Sequence, residues 1–121
     1  MNIFEKTAQK YPKIVEKMCL VAISAGVKIM AVYSEDDFGV EIKGDNSPIT
    51  RADRLANGVI EKNLKQNFPD IPIISEESNC DLTSVMGEIY FLVDPLDGTK
   101  EFIKKTGEFT VNIAVILNGK A

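Results

Sequence analysis

The sequence is organised around the stretch Phe91-Leu92-Val93-Asp94-Pro95-Leu96-Asp97-Gly98-Thr99-Lys100-Glu101. The apolar run Ile89–Val93 that leads into it is rich in residues that favour β-strands. Proline cannot donate to a strand ladder, so the strand is predicted to end at Asp94-Pro95. Asp97-Gly98-Thr99 then predicts a tight turn, in which glycine supplies the permissive backbone. The stretch therefore predicts a buried strand followed at once by a polar turn, which is where α/β folds bind ligands.

The chemistry of this turn favours a hard divalent cation together with a phosphate group. Asp94 and Asp97 offer carboxylate oxygens, which suit Mg²⁺. The amides of Gly98 and Thr99 can hold an anion if they open a helical turn. Asp-Pro and Asp-Gly are also common turn formers, so each dipeptide taken alone is explained without any ligand.

Two amphipathic helices are predicted upstream of this strand. Apolar residues recur at three- and four-residue spacing over about residues 12–32, and again from Thr50 to about residue 67. Residues 1–11 read as a polar lead-in with at most a short helical turn. In the first helix Cys19 is interpreted as a small buried apolar group without reactivity. The predicted sheet strands are Val40–Lys43, Ile71–Ile74, Ile89–Val93 and Thr110–Leu117.

Further carboxylates occur at two other predicted element ends. Glu76 and Glu77 follow the short strand Ile71–Ile74, and Glu76 would complete a cluster of three carboxylates if that strand lies beside the central one. Glu77 is interpreted as part of a solvated acidic loop. Thr50 and Asp53 open the second helix in a pattern close to a capping box, and capping alone would account for both.

The composition excludes several classes of site within these 121 residues. The chain has no histidine, which removes Ser-His-Asp and Cys-His nucleophiles and histidine-ligated zinc. Two cysteines do not make a disulfide framework, and a net charge of −4 argues against binding a nucleic-acid polymer. With no signal peptide and no apolar run of transmembrane length, we expect a cytoplasmic protein without stable membrane insertion, which leaves peripheral membrane association open.

The last residues predict a hairpin that these residues do not finish. Asn118-Gly119 after the strand Thr110–Leu117 is a strong hairpin signal, yet only Lys120 and Ala121 follow it. We therefore expect the chain to be the first part of a larger protein. A strand left without its neighbour also exposes an edge through which copies of the chain could form a homo-oligomer.

Asp94-Pro95-Leu96-Asp97-Gly98-Thr99 resembles the signature of the inositol monophosphatase superfamily of Mg²⁺-dependent, lithium-sensitive phosphatases. The segments 47–53 (Ser-Pro-Ile-Thr-Arg-Ala-Asp) and 73–78 (Ile-Ile-Ser-Glu-Glu-Ser) precede it in the order and spacing of that family. Residues 44–48 and 94–114 are similar to the CysQ-type branch in particular, the 3′(2′),5′-bisphosphate nucleotidases. The resemblance covers about residues 14–121.

The resemblance implies a role for each matching residue. Glu76, Asp94 and Asp97, with the Leu96 carbonyl, would hold two or three Mg²⁺ ions, and Li⁺ would inhibit. The catalytic residues would be Asp53, Glu76 and Thr99. Phosphate would contact Asp97, Gly98 and Thr99, and Lys100 would be a substrate contact.

The implied reaction is hydrolysis of 3′-phosphoadenosine 5′-phosphate to AMP and phosphate by metal-activated water, as in sulfur assimilation and nucleotide recycling. An inositol or sugar phosphatase is the alternative within the family. A truncated, inactive fragment that binds metal or self-associates is the alternative of another class. The dehalogenase-type phosphatases do not fit, because Asp94 and Asp97 are three residues apart rather than two.

The predicted fold class is α+β, with two helices packed on a mostly antiparallel sheet. By resemblance, residues 1–121 form the N-terminal metal- and phosphate-binding domain of the layered αβαβα sugar-phosphatase fold, and the C-terminal domain is absent.

Overall fold

The computed structural model describes residues 2–35, 38–43, 48–75, 77 and 88–121. Its helices are α1 (Ile3–Lys10), α2 (Ile14–Tyr33), α3 (Arg51–Asn67) and α4 (Thr99–Ile103). Its strands are β1 (Glu41–Ile42), β2 (Pro48–Ile49), β3 (Ile73–Ser75), β4 (Ile89–Asp97) and β5 (Thr110–Leu117). Glu76, Cys80 and the other residues of 44–47 and 78–87 lie outside the described residues. No helix in the described part of the chain is long and apolar enough to cross a membrane.

The main sheet has the order β3-β4-β5, with β3 parallel and β5 antiparallel to β4. A separate antiparallel pair joins β1 to β2. The predicted class, α+β with a mostly antiparallel sheet, is confirmed. Strand β3 lies at the edge of this sheet, since it has a neighbour on one side only among the described strands.

The core lies between this sheet and the α2–α3 pair. Alternation along β4 turns Phe91 and Val93 toward the helices, while Leu92 faces away and is exposed. Helix α3 begins at a full capping box formed by Thr50 and Asp53. The buried apolar residues of the core are Ile14, Val21, Ala25, Ile29, Val32, Phe38, Ala52, Ala56, Ile60, Leu64, Phe68, Ile71, Ile73, Phe91, Val93, Leu96 and Phe102.

The prediction that the central strand ends at Asp94-Pro95 is wrong, because β4 continues to Asp97. Asp94 pairs with Asn112 and Asp97 pairs with Thr110, so two residues of β4 face a single residue of β5. This is a β-bulge, which breaks the regular ladder at the position where proline cannot donate. The bulge thus admits Pro95 inside the strand, and both Pro95 and Leu96 are buried.

Two further predictions are corrected by the structure. Residues 3–10 form a regular helix rather than a lead-in, with Asn2 as the N-cap. Cys19 is exposed, because the buried face of α2 runs through Val21, Ala25 and Ile29 instead.

The predicted hairpin signal at the end of the chain is confirmed. Leu117 and Lys120 exchange backbone hydrogen bonds of 2.7 and 3.1 Å across Asn118-Gly119. Both turn residues have positive φ, 51° at Asn118 and 80° at Gly119, as a two-residue hairpin turn of the favoured type requires.

An aromatic cluster fixes α4 against the end of α2. The ring centroid of Phe102 lies 4.7 Å from that of Phe38, 5.2 Å from Tyr33 and 5.1 Å from Phe109. Phe102 has no exposed surface. Helix α4 has only five residues, so tertiary packing rather than helix propensity stabilises it.

Gly98, at the start of α4, cannot be replaced without strain. Its φ is +93°, and a Cβ there would lie 2.6 Å from the Glu108 carbonyl oxygen and 3.2 Å from the Phe109 Cα. We expect Gly98→Ala to lower the free energy of unfolding by about 3 kcal/mol, through left-handed strain plus a backbone clash. Denaturant unfolding followed by circular dichroism measures it.

Gly107→Ala is the matched control for this substitution. Gly107 also has a positive φ, +79°, but a Cβ there meets nothing within 4 Å. This variant should lose only about 1 kcal/mol, from backbone strain alone. Equal losses in the two variants would contradict the role of the close contact at Gly98.

Candidate functional site

The candidate site is built around the buried carboxylate of Asp53 in the first turn of α3. Asp53 has no exposed surface. Its Oδ2 accepts hydrogen bonds from the Thr50 backbone N–H at 2.8 Å and from the Thr50 hydroxyl at 2.6 Å. Its Oδ1 accepts from the Thr99 hydroxyl at 2.9 Å. Both oxygens are therefore hydrogen-bonded, as a buried carboxylate requires.

Helix capping alone therefore does not account for the position of Asp53. Oδ2 serves the start of its own helix, while Oδ1 holds a hydroxyl that is 46 residues away in sequence. The Thr99 hydroxyl also lies 3.3 Å from the Leu96 carbonyl oxygen. The structure thus brings together Asp53, Leu96 and Thr99 from the sequence-predicted set.

The β4 bulge carries the two carboxylates of the signature. Asp94 is half-buried, and Asp97 is exposed. The Asn112 side-chain amide of β5 donates to Asp97 Oδ2 at 3.0 Å, and Asn112 is also the ladder partner of Asp94. Asn112 therefore orients a site carboxylate, a role that was not predicted from the sequence. Its place in an alternating strand beside the signature was the available signal.

Strand β3 approaches the same place from the other side of β4. Ser75, its last residue, pairs with Val93, the residue before Asp94. The condition set for a role of Glu76, that these two strands are neighbours, is met, while Glu76 itself lies outside the described residues. The buried Ser75 hydroxyl donates to the Asn57 side chain of α3, which fixes the end of β3 to the helix that carries Asp53.

The interpretation of Glu77 as a solvated loop residue is wrong. Its side chain is only 5% exposed and forms an ion pair with Lys43 at 3.5 Å. Its backbone N–H donates to the Ser75 hydroxyl at 3.4 Å. Lys43 is 34 residues away in sequence, so no local pattern could have indicated this partner.

A second ion pair attaches strand β1 of the β1–β2 pair to α3. Both oxygens of the Glu41 carboxylate contact the Arg54 guanidinium, with Nη1 to Oε1 at 3.2 Å. The hydrogen bond and the charge of Arg54 hold the pKa of Glu41 below its ordinary value. The pair is exposed, so it orients β1 more than it stabilises the fold.

The lysines after the signature lie on the surface. Lys100 and Lys104 are exposed. The Lys105 ammonium lies 5.4 Å from the centre of the Phe38 ring and 5.8 Å from that of Tyr33, which is a cation–π arrangement. Lys100 lies in the first turn of α4 directly after Thr99, so it is the lysine of this group nearest in sequence to the site hydroxyl.

The donor set fits a divalent cation in its chemistry. Asp94 and Asp97 with the Leu96 carbonyl present only oxygen, the ligand type that Mg²⁺ prefers. Within the described residues no group of three acidic, histidine or cysteine side chains forms a metal cluster. A concave region of about 380 Å³ adjoins Asp94 and Asn112, and its other lining residues are apolar: Leu92, Val93, Val111, Ile113 and Ala114.

Comparison with known proteins shows which family this chain is similar to. The sequence model of the inositol monophosphatase family matches residues 12–121. The 3′(2′),5′-bisphosphate nucleotidase CysQ of Buchnera aphidicola is 47% identical over 121 residues, which cover 98% of this chain and 46% of that protein. The chain thus spans about half the length of the curated relatives that it matches.

Two crystal structures share the fold. CysQ from Bacteroides thetaiotaomicron matches with a TM-score of 0.70 and 44% identity, covering 85% of this chain and 37% of that one. The extragenic suppressor protein suhB from Bartonella henselae matches with a TM-score of 0.79 and 31% identity, and the match covers 88% of this chain and 42% of that one. With the family match over most of its length and the signature bulge in place, the chain belongs to the inositol monophosphatase family.

Proposed function

We propose that this chain carries the metal- and phosphate-binding half of a Mg²⁺-dependent phosphomonoesterase that acts on a 3′(2′),5′-bisphosphate nucleotide. The observation that carries the proposal is the contact of the Thr99 hydroxyl with buried Asp53, beside a β-bulge that presents Asp94 and Asp97. Family membership and the CysQ relatives support the reaction class. The substrate would be adenosine 3′,5′-bisphosphate, and the products AMP and phosphate.

Asp94, Asp97 and the Leu96 carbonyl would hold Mg²⁺, and Glu76 would join them. A divalent cation bound there neutralises charge on phosphoryl oxygens and acidifies water. The chain's own residues would orient the reactants. Asp97, the Gly98 amide and Thr99 would contact the phosphate, and exposed Lys100 would attract the second phosphate of the substrate.

The Thr99–Asp53 pair has a defined proton arrangement. The Thr99 hydroxyl donates to Asp53, so its oxygen lone pairs remain available to accept a hydrogen bond from a water molecule. Such a water would be oriented by a fixed acceptor and partly deprotonated through the hydroxyl toward the carboxylate. This is a general-base role that needs no histidine and no covalent intermediate.

The second candidate is a metal-binding polypeptide without turnover of its own. An inositol phosphate as substrate is the alternative within the family. The cytoplasmic location and the number of metal ions stay predictions.

Metal binding tests the ligand assignment independently of turnover. We expect Asp94→Asn to weaken Mg²⁺ binding by about tenfold or more. Mutation of a residue that only hydrogen-bonds to a metal ligand already lowers metal affinity by about tenfold, and Asp94 would be a ligand itself. Isothermal titration of the 121-residue chain measures the affinity. Asp70→Asn, an exposed carboxylate between α3 and β3, is the control and should bind like the parent chain. Equal affinities in all three proteins would contradict the assignment.

Phosphate release tests the reaction. With Mg²⁺ present we expect hydrolysis of adenosine 3′,5′-bisphosphate in preference to inositol monophosphate, because the sequence between Asp94 and Ala114 follows the nucleotidase branch. EDTA should abolish the activity and Li⁺ should inhibit it. Turnover that persists in EDTA would overturn the metal requirement. Mg²⁺ binding without turnover, where the full-length Buchnera relative is active, would favour the second candidate.

The Thr99 hydroxyl is tested by a matched pair of variants. Thr99→Val removes the hydroxyl at constant shape and should lower kcat by about 100-fold or more, while KM changes little. Thr99→Ser keeps the hydroxyl and should retain most of the activity. Steady-state kinetics measures both, in whichever form of the enzyme turns over. A rise in KM with unchanged kcat would assign Thr99 to substrate binding rather than to orientation of the nucleophile.

A further inference from the structure

Helix α3 holds two other elements of the site from adjacent turns. Asp53 and Asn57 are four residues apart, so they lie on the same face of the helix. Asp53 accepts a hydrogen bond from the Thr99 hydroxyl at the start of α4, and Asn57 accepts one from the Ser75 hydroxyl at the end of β3. The contact of Asp53 belongs to the proposed catalytic chemistry, whereas the contact of Asn57 fixes the end of a strand.

The contact between Asn57 and Ser75 is buried and short. Ser75 is 4% exposed and Asn57 is 9% exposed, and the Ser75 Oγ lies 2.5 Å from the Asn57 Oδ1. The same Oγ accepts a hydrogen bond from the Glu77 backbone N–H at 3.4 Å. One hydroxyl thus connects α3 to both residues that flank position 76.

The orientation of the Asn57 amide is set by a second partner. Its Nδ2 donates to the Glu61 Oε2, 3.3 Å away and one turn further along α3. A carboxylate only accepts hydrogen bonds, so the amide nitrogen faces Glu61 and the amide oxygen faces Ser75. Asn57 therefore presents a directional acceptor to the end of β3, which an apolar side chain of similar size cannot do.

Strand β3 is short and carries its proposed ligand just past its end. It has three residues, and Ser75 is opposite Val93 in the parallel pair with β4. The next residue of each strand is an acidic one, Glu76 after Ser75 and Asp94 after Val93. The position of Ser75 therefore sets how the two strand ends that carry these proposed metal ligands meet.

A buried polar pair is not what stability alone requires at this position. Replacing both members of a buried hydrogen bond by apolar groups of similar shape is often nearly neutral, whereas removing one member leaves the other unpaired. What the hydrogen bond adds is direction, since it fixes the strand end at one distance and one angle from the helix. Mg²⁺ needs such fixed ligands, because it demands near-ideal octahedral geometry.

We propose that Asn57 is a positioning residue for metal binding, which holds the end of β3 beside Asp94 through the Ser75 hydroxyl. The inference rests on the proposed function and adds to it a determinant of metal affinity outside the signature. Its effect falls on the binding of Mg²⁺, whereas the effect of Thr99 falls on the attacking water.

Isothermal titration with Mg²⁺ compares the parent chain with Asn57→Leu and Ser75→Ala. We expect each variant to bind Mg²⁺ on the order of tenfold more weakly, the lower end of the effect of residues that hold a metal ligand in place. Ser75→Ala removes a single oxygen atom, so it decides the question if Asn57→Leu does not fold. Unchanged affinity in either folded variant would overturn the proposal.

Asn63→Leu is the matched control on the same helix. The Asn63 Nδ2 donates to the Val59 carbonyl oxygen of α3 at 2.7 Å, so this side chain bonds to its own helix rather than to a strand end. The variant should bind Mg²⁺ like the parent chain. An equal loss of Mg²⁺ affinity in Asn63→Leu and Asn57→Leu would make the effect one of helix stability and would contradict the positioning role.

The double variant Asn57→Leu/Ser75→Ala separates positioning from stability. Because Asn57 acts through Ser75, the two losses should not add, and Mg²⁺ binding should be about tenfold rather than about a hundredfold weaker than in the parent. The Tm of the double variant should exceed those of the single variants, since neither partner of this bond is left unpaired. Recovery of both the Tm and the Mg²⁺ affinity would overturn the proposal, as would a hundredfold loss.

Asp94→Asn distinguishes failure of this inference from failure of the proposed function. If Asp94→Asn weakens Mg²⁺ binding and Asn57→Leu does not, the ligand assignment stands and the positioning role is wrong. If Asp94→Asn binds Mg²⁺ like the parent, or the parent binds none, the proposed function is wrong and the inference fails with it.

Turnover gives a second readout, in whichever form of the enzyme is active. Asn57→Leu should raise the Mg²⁺ concentration for half-maximal rate by about tenfold, while kcat at saturating Mg²⁺ changes little. Thr99→Val should show the opposite pattern. A fall in kcat for Asn57→Leu with an unchanged Mg²⁺ requirement would overturn the proposal.

Discussion

The site depends on one buried carboxylate, that of Asp53. A charged group without access to water is tolerated only when its oxygens are hydrogen-bonded, and Thr50 and Thr99 provide these bonds. Thr50 belongs to the helix start, while Thr99 belongs to a different element that follows the central strand. The need to satisfy Asp53 thus fixes the position of α4 relative to α3. Removing the Thr99 hydroxyl would leave the buried Oδ1 without its hydrogen bond, which costs more than the bond itself contributes.

The bulge in β4 gives the signature its geometry. In a regular strand successive side chains point to opposite faces of the sheet, so Asp94 and Leu96 would share one face and Pro95 and Asp97 the other. The extra residue opposite Val111 changes that alternation, so Pro95 and Leu96 are both buried while Asp97 is exposed beside Asn112. Bulges are frequent next to active sites because they redirect single side chains in this way. Proline here contributes to the site geometry instead of ending the strand.

Local sequence rules were sufficient for much of this molecule. The two long helices, the cap at Thr50 and the turn at Asn118-Gly119 follow from periodicity and turn chemistry, because each depends on residues a few positions apart. The continuation of β4 depends instead on its ladder with β5, and the burial of Glu77 depends on Lys43. Those partners are distant in sequence, so neither outcome could be predicted from local patterns.

The periodicity of α2 shows a different limit. Apolar residues at three- and four-residue spacing occur both in a helix with one apolar face and in a helix with two, as in α2. For that reason Cys19 was wrongly predicted to be buried. The candidate site was predictable to the extent that its residues share one motif. Asn57, Asn112 and Ser75 support it from other elements, and nothing in their immediate neighbours marks them as partners of the site.

The packing of Phe102 has a consequence for the dynamics of the site. The helical turn that begins at Thr99 is held by a fully buried ring among Tyr33, Phe38 and Phe109. It cannot swing as a loop does, on the nanosecond to microsecond timescale, without pulling that ring out of the core. Opening of this turn is therefore a local unfolding event, and its backbone amides should exchange with solvent almost as slowly as those of the central strand.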